Sequence, residues 1–194
     1  MSVCRIDSLG HIGNPTQLNL LSIDNSFGDL PTEVPDEVIP HLLKSRYQEP
    51  TAPGPLIWVY PFDEYHHWAY DESARLPEIY FGDWFIRQAI NTGLPLNTVI
   101  STHAFQTLLK RQPEYFSGRI LVSIVPDSGS SLESSLVEYV KHGGKLLIYG
   151  PADHAGEVLL KMLNLKNDVP LAGEFKIESH FSEDSLDVPY PGEI

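Results

Sequence analysis

The stretch RILVSIVPDSGSSLESSLVEYVKHGGKLLIYGP, Arg119 to Pro151, constrains the fold more than any other part of the chain. Ile120 to Val125 is apolar except for Ser123, and it is too short for a helix. Such a run suits a parallel strand buried on both faces. Pro126 ends the ladder. Ser130 or Ser131 can cap a helix whose apolar positions Leu132, Leu136, Val137 and Val140 recur at helical spacing, and Gly143-Gly144 stops it. Leu146 to Tyr149 then reads as a second strand, completing a βαβ unit. In open α/β sheets ligands sit beyond the carboxyl ends of the strands, which directs attention to Pro126–Ser131 and Gly150–His154. Neither loop contains an obvious activated nucleophile.

The rest of the chain repeats the alternation. Residues Met1 to Gln17 show no period and read as an arm or edge element, and Leu18 to Ile23 as a candidate strand. A short helix is predicted from about Pro35 to Tyr47, with Pro40 near its first turn. EPTAPGP, Glu49 to Pro55, is a linker into the strand LIWVY. A helix over Pro77–Thr92 follows, with Gly82 inside it and Gly93 closing it. Then come a strand near Leu96–Ser101, a helix over Ala104–Gln112, the βαβ unit, a helix over Glu157–Leu165 and a short strand at Glu174–Ile177. The expected architecture is a three-layer, open, mainly parallel α/β sheet with helices on both faces. The expected organisation is an N-terminal arm over 1–54, an α/β domain over 55–178 and an acidic tail over 179–194.

Composition narrows the function classes. With 194 residues and 42% hydrophobic content, the chain is long enough for one sizeable core. No apolar run approaches the roughly 20 residues that cross a bilayer, and no secretory signal opens the chain, so it reads as soluble and cytoplasmic without a membrane partner. A net charge of −13 with scattered Lys and Arg argues against nucleic acid. Cys4 is the only cysteine, which leaves no internal disulfide and no cysteine-built zinc site.

The span Leu56 to about Leu165 resembles the class I glutamine amidotransferase-like, flavodoxin-like fold. LVSIVPDSGSSLESSLVEYVKHGGKLLIYGPA is most similar to the domain that follows the catalytic barrel in some β-galactosidases and related glycoside hydrolases. LIWVYPFDEYHHWAY, through IYFGDWFIRQAINTGLPLNTVIST, fits that family's opening strand, aromatic loop, helix and second strand. The resemblance implies a trimerisation-type module of a carbohydrate-active protein. It also implies where amidotransferases would keep their cysteine, in a tight strand-to-helix elbow with a histidine and a carboxylate. Here the turn after Tyr149 reads Gly150-Pro151-Ala152, none of which can attack a carbonyl. No catalytic residues and no cofactor are therefore expected, and the partners expected are another copy, other domains of a longer chain, or carbohydrate.

Several residues remain candidates for ligand or interface contact. Trp58 to Phe85 contains all three tryptophans and half of the chain's aromatic residues. Trp84 and Phe85 are expected in the core, whereas Tyr65, Trp68 and Tyr70 are expected in a loop, with Asp63 and Glu64 as polar neighbours for a stacked sugar. His66 and His67 are suitable metal-ligand types, but adjacent histidines diverge and no HExxH spacing appears, so no metal is expected. Asp127 and Ser128 sit at a strand-to-helix turn with exposed backbone NH groups, where capping alone explains the residue types. Asp153 and His154 form an acid and histidine pair beside the second turn. A competing reading makes these two, with the nearby serines, the machinery of an independent hydrolase or transferase.

Overall fold

A computed structural model describes residues 3–16 and 33–168. The candidate strands at Leu18–Ile23 and Glu174–Ile177 and the acidic tail lie outside the described residues. Among the described residues six strands form one sheet: β1 Cys4–Ile6, β2 Ile12–Gly13, β3 Leu56–Tyr60, β4 Thr98–Ser101, β5 Ile120–Ile124 and β6 Lys145–Tyr149. Their spatial order is β2-β1-β4-β3-β5-β6. Every neighbouring pair is parallel except β1 with β2. Six helices accompany them: α1 Glu33–Tyr47, α2 Phe62–Tyr70, α3 Leu76–Asn91, α4 Thr102–Arg111, α5 Ser131–Lys141 and α6 Glu157–Met162.

The register separates the two faces. Trp58 pairs with Val122 and Val122 with Leu147, so these three share one face, with Tyr60 and Tyr149. Helices α2 and α3 cover this side, where Tyr65 meets Tyr60 edge-on and Phe85 stacks on Tyr149. The opposite face presents Ile57, Val59, Leu121 and Ile148, and there α5 and α6 pack Val137 and Leu159 against Ile148. Helix α4 lies beside α5, joined by Gln106 donating to Ser131 Oγ at 3.0 Å. The protein is thus an α/β structure with a mostly parallel sheet.

Local chemistry explains the helix starts. Ser101 Oγ accepts from the Ala104 NH and Ser130 Oγ from the Glu133 NH, each capping its helix. Glu133 reaches back to accept from the Gly129 NH at 2.7 Å, a reciprocal arrangement close to a capping box.

Three expectations need correction. The segment read as an arm or edge element is no loose arm: it supplies the edge strand β2 and, beside it, β1, whose Cys4 and Ile6 are buried and which pairs with β4. Its three residues are too few to show a period. The aromatic loop is a helix, α2, with Tyr65 and Trp68 buried one turn apart. Trp84 and Phe85, expected in the core, are exposed. Helix α3 turns Ile79, Ile86 and Ile90 towards the sheet and Tyr80, Phe81 and Trp84 outwards, while Phe85 lies at the margin, about half exposed and stacked on Tyr149.

Gly82 lies on the inward side of α3, partly exposed. A Cβ there would lie 2.7 Å from the Tyr65 hydroxyl. That hydroxyl sits at the end of a rigid ring held between Tyr60 and Trp68, so it cannot swing away. Burial also pushes the Tyr65 phenol up to about 12. In a free helix Gly→Ala would gain about 1 kcal/mol. Here overpacking of about 1–3 kcal/mol opposes that gain. Gly82→Ala is expected to destabilise the protein in urea melts and to become neutral or stabilising in a Tyr65→Phe background. An equal effect in both backgrounds would show that the two groups do not compete for the same space.

Candidate functional site

The sheet order defines where a ligand would sit. From β3 the chain moves to β4 on one side, and from β5 to β6 on the other, so the loops after β3 and β5 diverge. The crevice between two such strands is the usual binding place in doubly wound sheets.

In this protein side chains of its own fill that crevice. Arg75, in a 3-10 turn between α2 and α3, donates through Nε and Nη2 to the two oxygens of Glu78, both at 2.9 Å. Its Nη1 donates to Asp127 Oδ2 at 2.9 Å. The guanidinium lies 3.6 Å above the Trp68 ring. Trp68 Nε1 donates to the same Asp127 oxygen at 3.2 Å. Burial alone would lower the Arg75 pKa, but Glu78 and Asp127 outweigh it and hold the group above its ordinary value. The cation therefore remains charged and pinned at 12% side-chain exposure, with the turn between α2 and α3 tied through it to the loop after β5.

Glu64, one helical turn before Trp68, accepts from Thr102 Oγ1 at 2.9 Å and links α2 to the start of α4. Burial is the largest influence on Glu64 and raises its carboxyl above the ordinary glutamate value, with Asp63 and Asp127 adding repulsion.

Of the residues singled out from sequence, Trp68 and Asp127 are brought together. Tyr65 is buried below them rather than available in a loop. Asp63 and His66 are exposed, and His66 stacks on Tyr70 with ring centroids 4.6 Å apart. The Ser128 NH donates to the His154 carbonyl at 2.8 Å, so this contact joins the loops after β5 and β6 through backbone alone. Asp153 Oδ2 lies 3.5 Å from His154 Nε2, and both side chains are largely exposed. No hydroxyl or thiol among the described residues hydrogen-bonds the His154 ring. At the bend after β6, Gly150 has φ +105° and open space where a side chain would stand. Cys4 lies buried at the amino end of β1, against Thr98 Oγ1 at 3.6 Å, with three strands between it and β6.

Arg75 and Glu78 were not singled out from sequence. The signal was slight: an arginine three residues before a glutamate, in a segment whose proline-led helix start hid the turn. Among the described residues no group of three or more His, Cys, Asp or Glu side chains is placed to hold a metal ion. No helix among them is long and apolar enough to cross a membrane. No protein-family model, curated protein or solved structure matches this chain significantly.

Two tests follow from this geometry. Arg75→Lys keeps the charge but loses the fork on Glu78 and the stacking on Trp68, so it is expected to cost roughly 1–3 kcal/mol in denaturant melts, close to Asp127→Ala. Full stability in Arg75→Lys would show that a point charge suffices. For Glu64, a raised folded-state pKa means that the folded protein holds the proton more tightly than the unfolded chain. Stability then falls as pH rises through the Glu64 folded-state pKa. Glu64→Gln, which still accepts from Thr102, is expected to melt higher than the parent at neutral pH, with the gap closing as pH falls towards the ordinary glutamate range. A gap that widens on acidification would reverse this assignment.

Proposed function

We propose that this chain is a non-catalytic α/β module of the glutamine amidotransferase-like, flavodoxin-like type that works by contact with other protein surfaces. The observation that carries this reading is the filled crevice. Where a doubly wound sheet would hold a substrate or cofactor, Arg75 and Trp68 both donate to Asp127 Oδ2, while Asp127 Oδ1 is buried without a hydrogen-bond partner among the described residues. A ligand entering there would have to displace an arginine that is nearly buried and bound to three carboxylates, those of Glu72, Glu78 and Asp127, at a cost of several kcal/mol.

The empty bend at Gly150 supports the same reading. An acyl-transfer site needs a nucleophile within hydrogen-bond reach of its base, with donors aimed at the developing oxyanion. His154 has a carboxylate neighbour, but no nucleophile among the described residues approaches it. Association with a glycoside hydrolase or another carbohydrate-active protein rests on the sequence resemblance in the βαβ unit and the aromatic segment before it.

The purified chain is expected to turn over neither aryl glycosides nor glutamine and simple amides above the buffer rate, and His154→Ala is expected to change nothing. Turnover of either substrate class that disappears in His154→Ala would replace this reading with the hydrolase one.

A further inference from the structure

The outer side of α3 is an apolar exposed surface. Tyr80, Phe81, Trp84 and Phe85 remain 63%, 62%, 48% and 53% exposed, with Leu147 of β6 uncovered on the same face of the sheet. At ~200 Å² per aromatic side chain, the four rings offer on the order of 400–500 Å² of apolar surface. That is as large as the largest patch on a typical monomer, about 300–600 Å². With a polar rim it approaches the ~800 Å² that each partner contributes to a stable interface.

Two further features indicate what covers it. Between α3 and the end of β6 lies a cleft of about 520 Å³, lined mainly by Pro77, Phe81, Phe85, Tyr149 and Pro151, with Glu78 also in its lining. Trp84, one turn beyond Phe81 on the same helix, keeps about half of its surface exposed. A single patch therefore carries both a half-exposed indole and a largely apolar recess, the two parts that a self-complementary contact about a two-fold axis brings together.

Charge points the same way. Two copies at −13 each repel across most of their surfaces. On α3, however, each carboxylate is already paired, Glu78 with Arg75 at 2.9 Å and Asp83 with Arg87 at 3.3 Å. This is a face on which two such chains meet at little electrostatic cost.

We propose that the α3 face, with the cleft beside β6, is the interface for a second copy of this chain, each Trp84 seated in the partner's cleft. This deepens the contact-module reading, and its test is independent of the activity assay. Sedimentation equilibrium of the full chain is expected to show a dimer that Trp84→Glu and Phe81→Glu each weaken by roughly 30-fold or more. Both residues are exposed, so thermal midpoints of the dilute, monomeric variants should stay near the parent's. Leu43→Glu, at an exposed leucine of α1, should leave the dimer intact. Trp58 and Trp68 are buried, so acrylamide quenching of tryptophan emission reports mainly on Trp84, and it should fall as concentration rises. A monomer at every concentration, or a dimer indifferent to both α3 variants, would overturn the proposal. An inactive monomer would leave the non-catalytic reading in place, whereas turnover lost in His154→Ala would remove that reading whatever the oligomeric state.

Discussion

The carboxyl end of the sheet depends on one cation. Arg75 lies against the Trp68 ring and is bound by Glu78 and Asp127, so three separate pieces of chain, α2, the start of α3 and the loop after β5, are fixed by a single guanidinium. A flat, delocalised cation is the group that can do this, because its fork matches a carboxylate while its face rests on an indole. A nearly buried arginine is tolerated only where carboxylates neutralise it, and this makes the arrangement all or none. Breaking one partner leaves the remainder desolvated and uncompensated.

The same arrangement shapes what the surface can do. In a doubly wound sheet the switch point is a natural cavity because diverging loops leave space. Here α2 turns back over that space and brings Trp68 down onto Asp127. Tyr65 on the same helix goes into the core against Tyr60, and its hydroxyl in turn requires a glycine in α3. With its glycine side held inward, α3 presents Phe81 and Trp84 to the outside. The closed crevice and the open apolar face are two results of one packing solution.

The βαβ unit was legible in the sequence because its signals are local. A short apolar run, a serine cap and a Gly-Gly stop each act within a few residues, and the observed β5, α5 and β6 agree with the reading to within a residue or two. Helices α1, α3 and α4 were legible for the same reason. Strand β1 was not, since three residues have no period and its burial comes from β4, some ninety positions away. Helix α2 was hidden by its aromatic and histidine content, which reads as a loop unless the three-residue spacing of Tyr65 and Trp68 is given weight.

The candidate site divides in the same way. Sequence alone picked out Trp68 and Asp127, each for a different reason, and showed that Gly150-Pro151-Ala152 can supply no nucleophile. What determined these was covalent identity and short-range spacing, which no packing can alter. Only the tertiary structure decided that Trp68 and Asp127 meet, that Arg75 joins them, and which side of α3 faces water. Those outcomes depend on which residues strand order and helix rotation place within a few ångströms, across separations of fifty or more positions, and no local pattern encodes that distance.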